Sequence, residues 1–272
     1  KLISKIQNIS KFQTKDLGLF IKLRDEFSML SSDLLMETSK VCTPIIIDTS
    51  IKIIKKTDIT SRDNSFLENL INLLILMGFH AAFVENIERT IRYFSKISKT
   101  SNTKIFSLIL HLFHIIIDDE DQKYDEIRQT FLKYFIPVIS THVSSFLESN
   151  SRPSIPFISV FAQSTAFLMK LSFNTYNSIQ DSVQNLLNNF LKLLEIKPSN
   201  EADIQNVADL AHIQSKIIHI FLVYQKQSIP VPQIQSYMPY LIPLLHRIHP
   251  CYFTVIKQIL FDIRLILDLN PK

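Results

Sequence analysis

The sequence predicts an all-α fold, a solenoid of stacked antiparallel helix pairs or a large irregular helical domain, on three observations. The first is a near absence of glycine. With 2 Gly and no Trp in 272 residues, the chain lacks the residue that supplies positive-φ hairpin turns, phosphate-cradling loops and tight strand-to-helix turns. The second is a succession of apolar segments at helical spacing along the chain. The third is their interval: pairs of segments recur about every 35–45 residues, the period at which two-helix units stack.

The elements follow in order. Residues 17–40 show helical spacing. Residues 42–60, "CTPIIIDTSIKIIKKTDIT", are dense in β-branched side chains and can be read as two short strands. A lone strand pair among helices has little to pair with, and Thr43 before Pro44 makes a good N-cap with proline at the first helical position. The helix reading is therefore preferred. From Ser65 to Ile97 the apolar set Phe66, Leu70, Leu73, Leu74, Met77, Ala81, Val84, Ile87, Ile91 and Phe94 keeps helical spacing. Ser65 and Glu68 form a capping box at its start, and Gly78 marks a break into two helices near Phe79. Further helices are expected over 124–147, 157–173, 176–196, 204–224, 234–248 and 252–267, for roughly 11–13 in all, packed as antiparallel pairs. The connectors "KTSNT", "ESNSRPS", "KPSNEAD" and "QKQSIPVP" are short and carry Ser, Asn, Lys or Pro where a helix should stop.

The composition bounds the function. At 46% apolar and 20% charged the chain is a folded one. The net charge of +4 is spread along it, with acids between the bases. Cys42 and Cys251 stand alone, without zinc-ligand spacing, and read as small apolar residues of a reducing compartment, cytoplasm or nucleus. The apolar stretches are interrupted within the ~20 residues that a membrane span requires, and no signal peptide is recognisable. A start at Lys1 rather than Met reads as a segment of a longer protein.

Proline sits inside an apolar helix pattern at residues 131–148, "FLKYFIPVISTHVSSFLE", and again at 237–250, "YMPYLIPLLHRIHP". This resembles the first helix of HEAT repeats, in which a proline commonly bends the helix and leucines follow. The Asp, Val and Arg that usually lead into the second helix are missing after Leu147 and after Ile248. The resemblance implies an ARM- or HEAT-type α-solenoid used as a binding scaffold, and names no partner.

The strongest local chemistry lies in "HLFHIIIDDED". His111, His114 and Asp118 stand at i, i+3 and i+7, so a continuous helix would put them on one face where a divalent metal could bind. No further ligand is identifiable, so a packed or groove histidine is the simpler reading and no metal is expected. The order His111, Asp118, Asp119 also resembles the approach to the aspartate-rich motif of trans-isoprenyl diphosphate synthases, which are all-helical. That resemblance would give Asp118 and Asp119 the role of holding magnesium and a diphosphate. Here Gln122 replaces the acid four residues after Asp118, no second such motif occurs, and at the terpene-synthase interval Asn174 and Ser178 are followed by Ser182 instead of Glu. A helix end whose acids favour the next helix N-terminus accounts for the same residues.

His246 and His249 fall at a helix C-terminus, where bases complement the dipole. His212 and His219 lie two turns apart, with Asp209 beside His212, but no nucleophile accompanies them. Among the bases, Arg89, Arg92, Lys96 and Lys99 share one helical face, and Lys52, Lys55, Lys56 and Lys104 could join them in a ridge able to neutralise phosphates. The expected function is therefore a non-enzymatic protein-interaction scaffold within a larger eukaryotic assembly, without cofactor, its candidate contacts being Arg89, Arg92, Lys96 and Lys99. A nucleic-acid-binding helical-repeat protein is the alternative, and an isoprenoid-type enzyme using Asp118 and Asp119 the third reading.

Overall fold

The computed structural model of the chain describes residues 17–56, 64–77, 87–100, 102–117, 124–149, 152–197, 203–230 and 253–269. Among the described residues the fold is all-α, with eleven helices and no strand: α1 (Leu17–Ser28), α2 (Ser32–Lys56), α3 (Asn64–Leu76), α4 (Ile87–Thr100), α5 (Thr103–Ile117), α6 (Asp125–Ser149), α7 (Ile155–Met169), α8 (Phe173–Ser178), α9 (Gln180–Glu195), α10 (Ile204–Lys226) and α11 (Phe253–Leu269). No described helix is long and apolar enough to cross a membrane. The chain clusters into two compact units, Lys1–Phe135 and Ile136–Lys272.

In the first unit α1 packs on α3, α3 on α5, and α4 on α5. Its core is aromatic. Phe113 meets Phe94 edge-on at 5.9 Å and lies 5.1 Å from Phe131 and 5.5 Å from Phe135, while Phe131 and Phe135 stack at 4.3 Å. The i, i+4 spacing of the last pair puts both rings on one stripe of α6, and such contacts add about 0.5–1.5 kcal/mol each beyond their burial.

In the second unit α10 packs on α7, α9 and α11. Phe146 stacks on Phe157 at 4.1 Å, and Phe161 contacts Phe190 at 5.4 Å. Polar side chains tie these helices together as well. Gln214, buried on α10, directs its amide nitrogen at the carbonyls of Leu193, Leu194 and Ile196 at 3.0–3.1 Å. These carbonyls lie at and just past the end of α9, where the helix no longer supplies its own donors, although Leu193 O also accepts from Ile196 N at 3.4 Å. Asn189 Nδ2 reaches Ser140 and Ser144 Oγ, each at 3.0 Å, and the Tyr224 hydroxyl donates to the Leu168 carbonyl at 2.8 Å.

Helix ends explain where the sequence expectations held and where they moved. Residues 42–60 carry no strand where described, yet the helix starts at Ser32 rather than at Thr43, so Pro44 lies inside α2. The 17–40 segment is split instead at Met29 to Ser31. Helix α3 begins at Asn64, which places Ser65 within the first turn, and Glu68 pairs with Lys104 Nζ at 2.7 Å. The helix ends at Leu76 and α4 starts at Ile87, Gly78 lying outside the described residues. The expected 157–173 helix stops at Met169, because Ser172 caps a new helix by accepting from Thr175 N at 3.3 Å. Of the two proline-bearing segments, Pro137 is inside α6, and 237–250 lies outside the described residues.

At the end of α10 the chain turns without glycine. Ser228 adopts φ 59, and the N–H groups of Ser228 and Ile229 donate to the carbonyls of Gln225 and Tyr224 at 3.0 and 2.9 Å. This paired left-handed stop normally carries glycine at the Ser228 position. Buried Ile229 closes it.

Candidate functional site

Helix α4 is strongly two-faced. Thr90, Ile91, Phe94, Ser95, Ile97 and Ser98 are buried, and Arg89, Arg92, Lys96 and Lys99 are exposed. The four predicted contact residues therefore share one open face about 15 Å long. They are not equivalent. The Arg92 guanidinium donates to the Tyr134 hydroxyl from Nε at 3.0 Å and Nη2 at 2.7 Å, and to Glu88 Oε1 at 3.1 Å. Tyr134 Oη in turn donates to Glu88 Oε1 at 3.2 Å, and the guanidinium carbon lies 5.3 Å from the Tyr134 ring centroid. The bond to Tyr134 first, and the Glu88 charge after it, hold the Arg92 pKa above its ordinary value. Arg89, Lys96 and Lys99 have no ion pair among the described residues. Lys104 is committed to Glu68, and the side chains of Lys52, Lys55 and Lys56 lie outside the described set.

The second polar cluster was only half legible. His219 on α10 sets Nδ1 at 2.7 Å from Asp262 Oδ1, across 43 residues of sequence. Gln258 Nε2 lies 3.1 Å from the same carboxylate oxygen and 2.7 Å from the ring nitrogen. Gln258 donates to Asp262 Oδ1, and the His219 tautomer decides whether Nδ1 donates to that oxygen or accepts from Gln258. Asp262 is fully buried, and its Oδ2 has no hydrogen-bond partner among the described residues. The imidazole meets Phe261 edge-on at 6.5 Å. Sequence reading found His219 and missed both partners. Gln258 and Asp262, four apart in the apolar run of α11, were the available signal.

His212, the neighbour expected to pair with Asp209, has its pKa lowered, by burial first and by Lys216 second, with Asp209 opposing. Asp209 accepts from Gln205 Nε2 at 2.8 Å and lies 3.8 Å from Arg152. His111 is exposed and His114 half-buried on α5, while Asp118, Asp119, His246 and His249 fall outside the described residues. Among the described residues no group of three or more His, Cys, Asp or Glu is placed to hold a metal. Cys42 is a buried free thiol whose pKa burial pushes up to about 11, as a small apolar residue would behave. No family model, curated protein or solved structure matches the chain.

Proposed function

We propose that the chain is a non-enzymatic, intracellular scaffold, an α-solenoid surface that holds a protein partner within a larger eukaryotic assembly. The observation that carries this reading is the outward side of α11, where Leu260, Phe261 and Leu267 are 54%, 56% and 59% exposed. Leu260 and Leu267 are two turns apart on one face, and Arg264 and Asp268 beside them form a polar edge at 3.8 Å. Exposed apolar groups rimmed by charge are what a protein partner covers. Met29, Leu34, Met36 and Val41 give the first unit its own exposed apolar side chains. The solenoid part of the reading rests on packing between helices two apart in sequence, α1 on α3 and α3 on α5, as rows of equivalent helices stack in helical repeats.

A nucleic-acid reading is favoured by Arg89, Lys96 and Lys99 on the open face of α4. It is weakened by Arg92 and Lys104, whose charges Glu88 and Glu68 already offset. The test is affinity capture with the chain and with a Leu260→Asp/Leu267→Asp variant, with and without nuclease. A stoichiometric protein set that survives nuclease and is lost with the variant supports the scaffold. Capture that vanishes with nuclease moves the assignment to nucleic acid, and equal capture by both chains removes α11 from the interface.

A further inference from the structure

We propose that the second unit binds a small organic acid between α7, α10 and α11, its carboxylate on Lys216 and its apolar body against Ala162, Ala166 and Ile220. The site goes beyond the scaffold reading and does not depend on it. These helices line a half-open pocket of about 320 Å³, also lined by Thr165, Met169, His219 and Gln258, with exposed Ala162 at its rim. That size lies at the lower end of the range in which proteins hold small ligands. Ala162 and Ala166, on adjacent turns of α7, leave room that larger side chains would take.

The polar groups converge from the α10 and α11 side. Lys216 and His219 are three apart on α10, hence neighbours on one face. Lys216 is half-buried and has no ion pair among the described residues, in a unit where Arg152 lies on Asp203, Arg264 on Asp268 and His219 on Asp262. An ammonium at the edge of an apolar cavity attracts a carboxylate more strongly than one in open water, because the local dielectric is lower. The wall beside it is set before any ligand arrives. Asp262 Oδ1 lies 2.7 Å from His219 Nδ1 and 3.1 Å from the Gln258 amide nitrogen, so Nδ1 is the ring nitrogen already engaged. Asp262 itself does not line the space; its negative charge opposes a bound carboxylate through space, and the Lys216 ammonium, which does line it, has to outweigh that. A cation, an imidazole held by Asp262 and an apolar floor select an anion with a compact hydrocarbon body.

Benzoate is the probe, and benzamide, with nearly the same shape and no charge, is its control. Titration followed by the methyl resonances of Ala162, Ala166 and Ile220 should show saturable benzoate binding and weaker benzamide binding. Lys216→Met should weaken benzoate by about tenfold, to the level of benzamide, as loss of one charge-assisted contact implies. Ala166→Leu should fill the cavity and exclude both. The proposal is overturned if benzoate and benzamide bind alike, if benzoate shows no saturable binding, or if Lys216→Met binds benzoate as the parent does. Lys216 is half-buried and outside the apolar core, so that variant remains decisive if Ala166→Leu does not fold.

Discussion

Among the described residues, the first unit shows its helices joined through a cluster of rings, and the second joins its helices through rings and buried polar bonds. Around Phe113 three rings, Phe94, Phe131 and Phe135, meet at 5.1–5.9 Å. The second unit has its own aromatic stripe, but it also spends Gln214, Asn189, Tyr224 and the Asp262, His219 and Gln258 cluster on contacts between helices. Ring packing tolerates small slips of one helix past another, whereas a hydrogen bond to a particular carbonyl does not. The difference teaches that one composition of Leu, Ile and Phe can be given unique helix registers by two routes.

The largest effect that would test this contrast is in the first unit. Phe113→Ala should cost about 3–5 kcal/mol, read by denaturant unfolding, through lost burial and the cavity left between the three remaining rings. Gln214→Leu in the second unit keeps the volume but strands the α9 carbonyls, and should cost about 1–3 kcal/mol. If the leucine variant is as stable as the parent, the polar route is ornamental and the comparison fails. Ser228→Gly should stabilise by about 1 kcal/mol, because the left-handed φ of 59 is unfavourable for a residue with a β-carbon. Thr43→Val should be neutral or raise the melting temperature by a few degrees, since the buried Thr43 hydroxyl has no hydrogen-bond partner among the described residues.

The smallest effect is in the pH profile, and its two arms belong to different units. His212 has a folded pKa below its ordinary 6.5. Its contribution is fully present above that value and is lost as pH falls through the folded pKa. Cys42 has a folded pKa raised from 9.0 to about 11. Its contribution is present below 9.0 and is lost as pH rises toward 11. Melting temperatures against pH should therefore show a shallower acid arm in His212→Gln and a shallower alkaline arm in Cys42→Ala, whatever each substitution does to stability at neutral pH.

Much of the fold was legible because it is written locally. Glycine scarcity removed the hairpins, and helical spacing in 204–224 anticipated α10 to within two residues at its C-terminal end. Pro44 misled because proline is favoured in a first turn, yet α2 carries it mid-helix, where the preceding turn gives up one hydrogen bond. Ser228 was invisible because the usual sign of a left-handed stop is the glycine it replaces. The α4 cations could be placed on one face from spacing alone, but the arrest of Arg92 by Tyr134 depends on a helix 42 residues away in sequence. Asp262 and Gln258 had no local sign connecting them to His219, since the pairing is made by packing.

Gln214 also sets how the second unit comes apart. Because carbonyls at the end of α9 find a donor on α10, fraying of that helix end is coupled to the docking of α10 through the Gln214 side chain. Amide protons in the last turn of α9 should thus exchange with solvent in step with those in the middle of α10, as one cooperative block. A terminus that would ordinarily be the loosest part of a helix becomes a reporter of the docking of its neighbour.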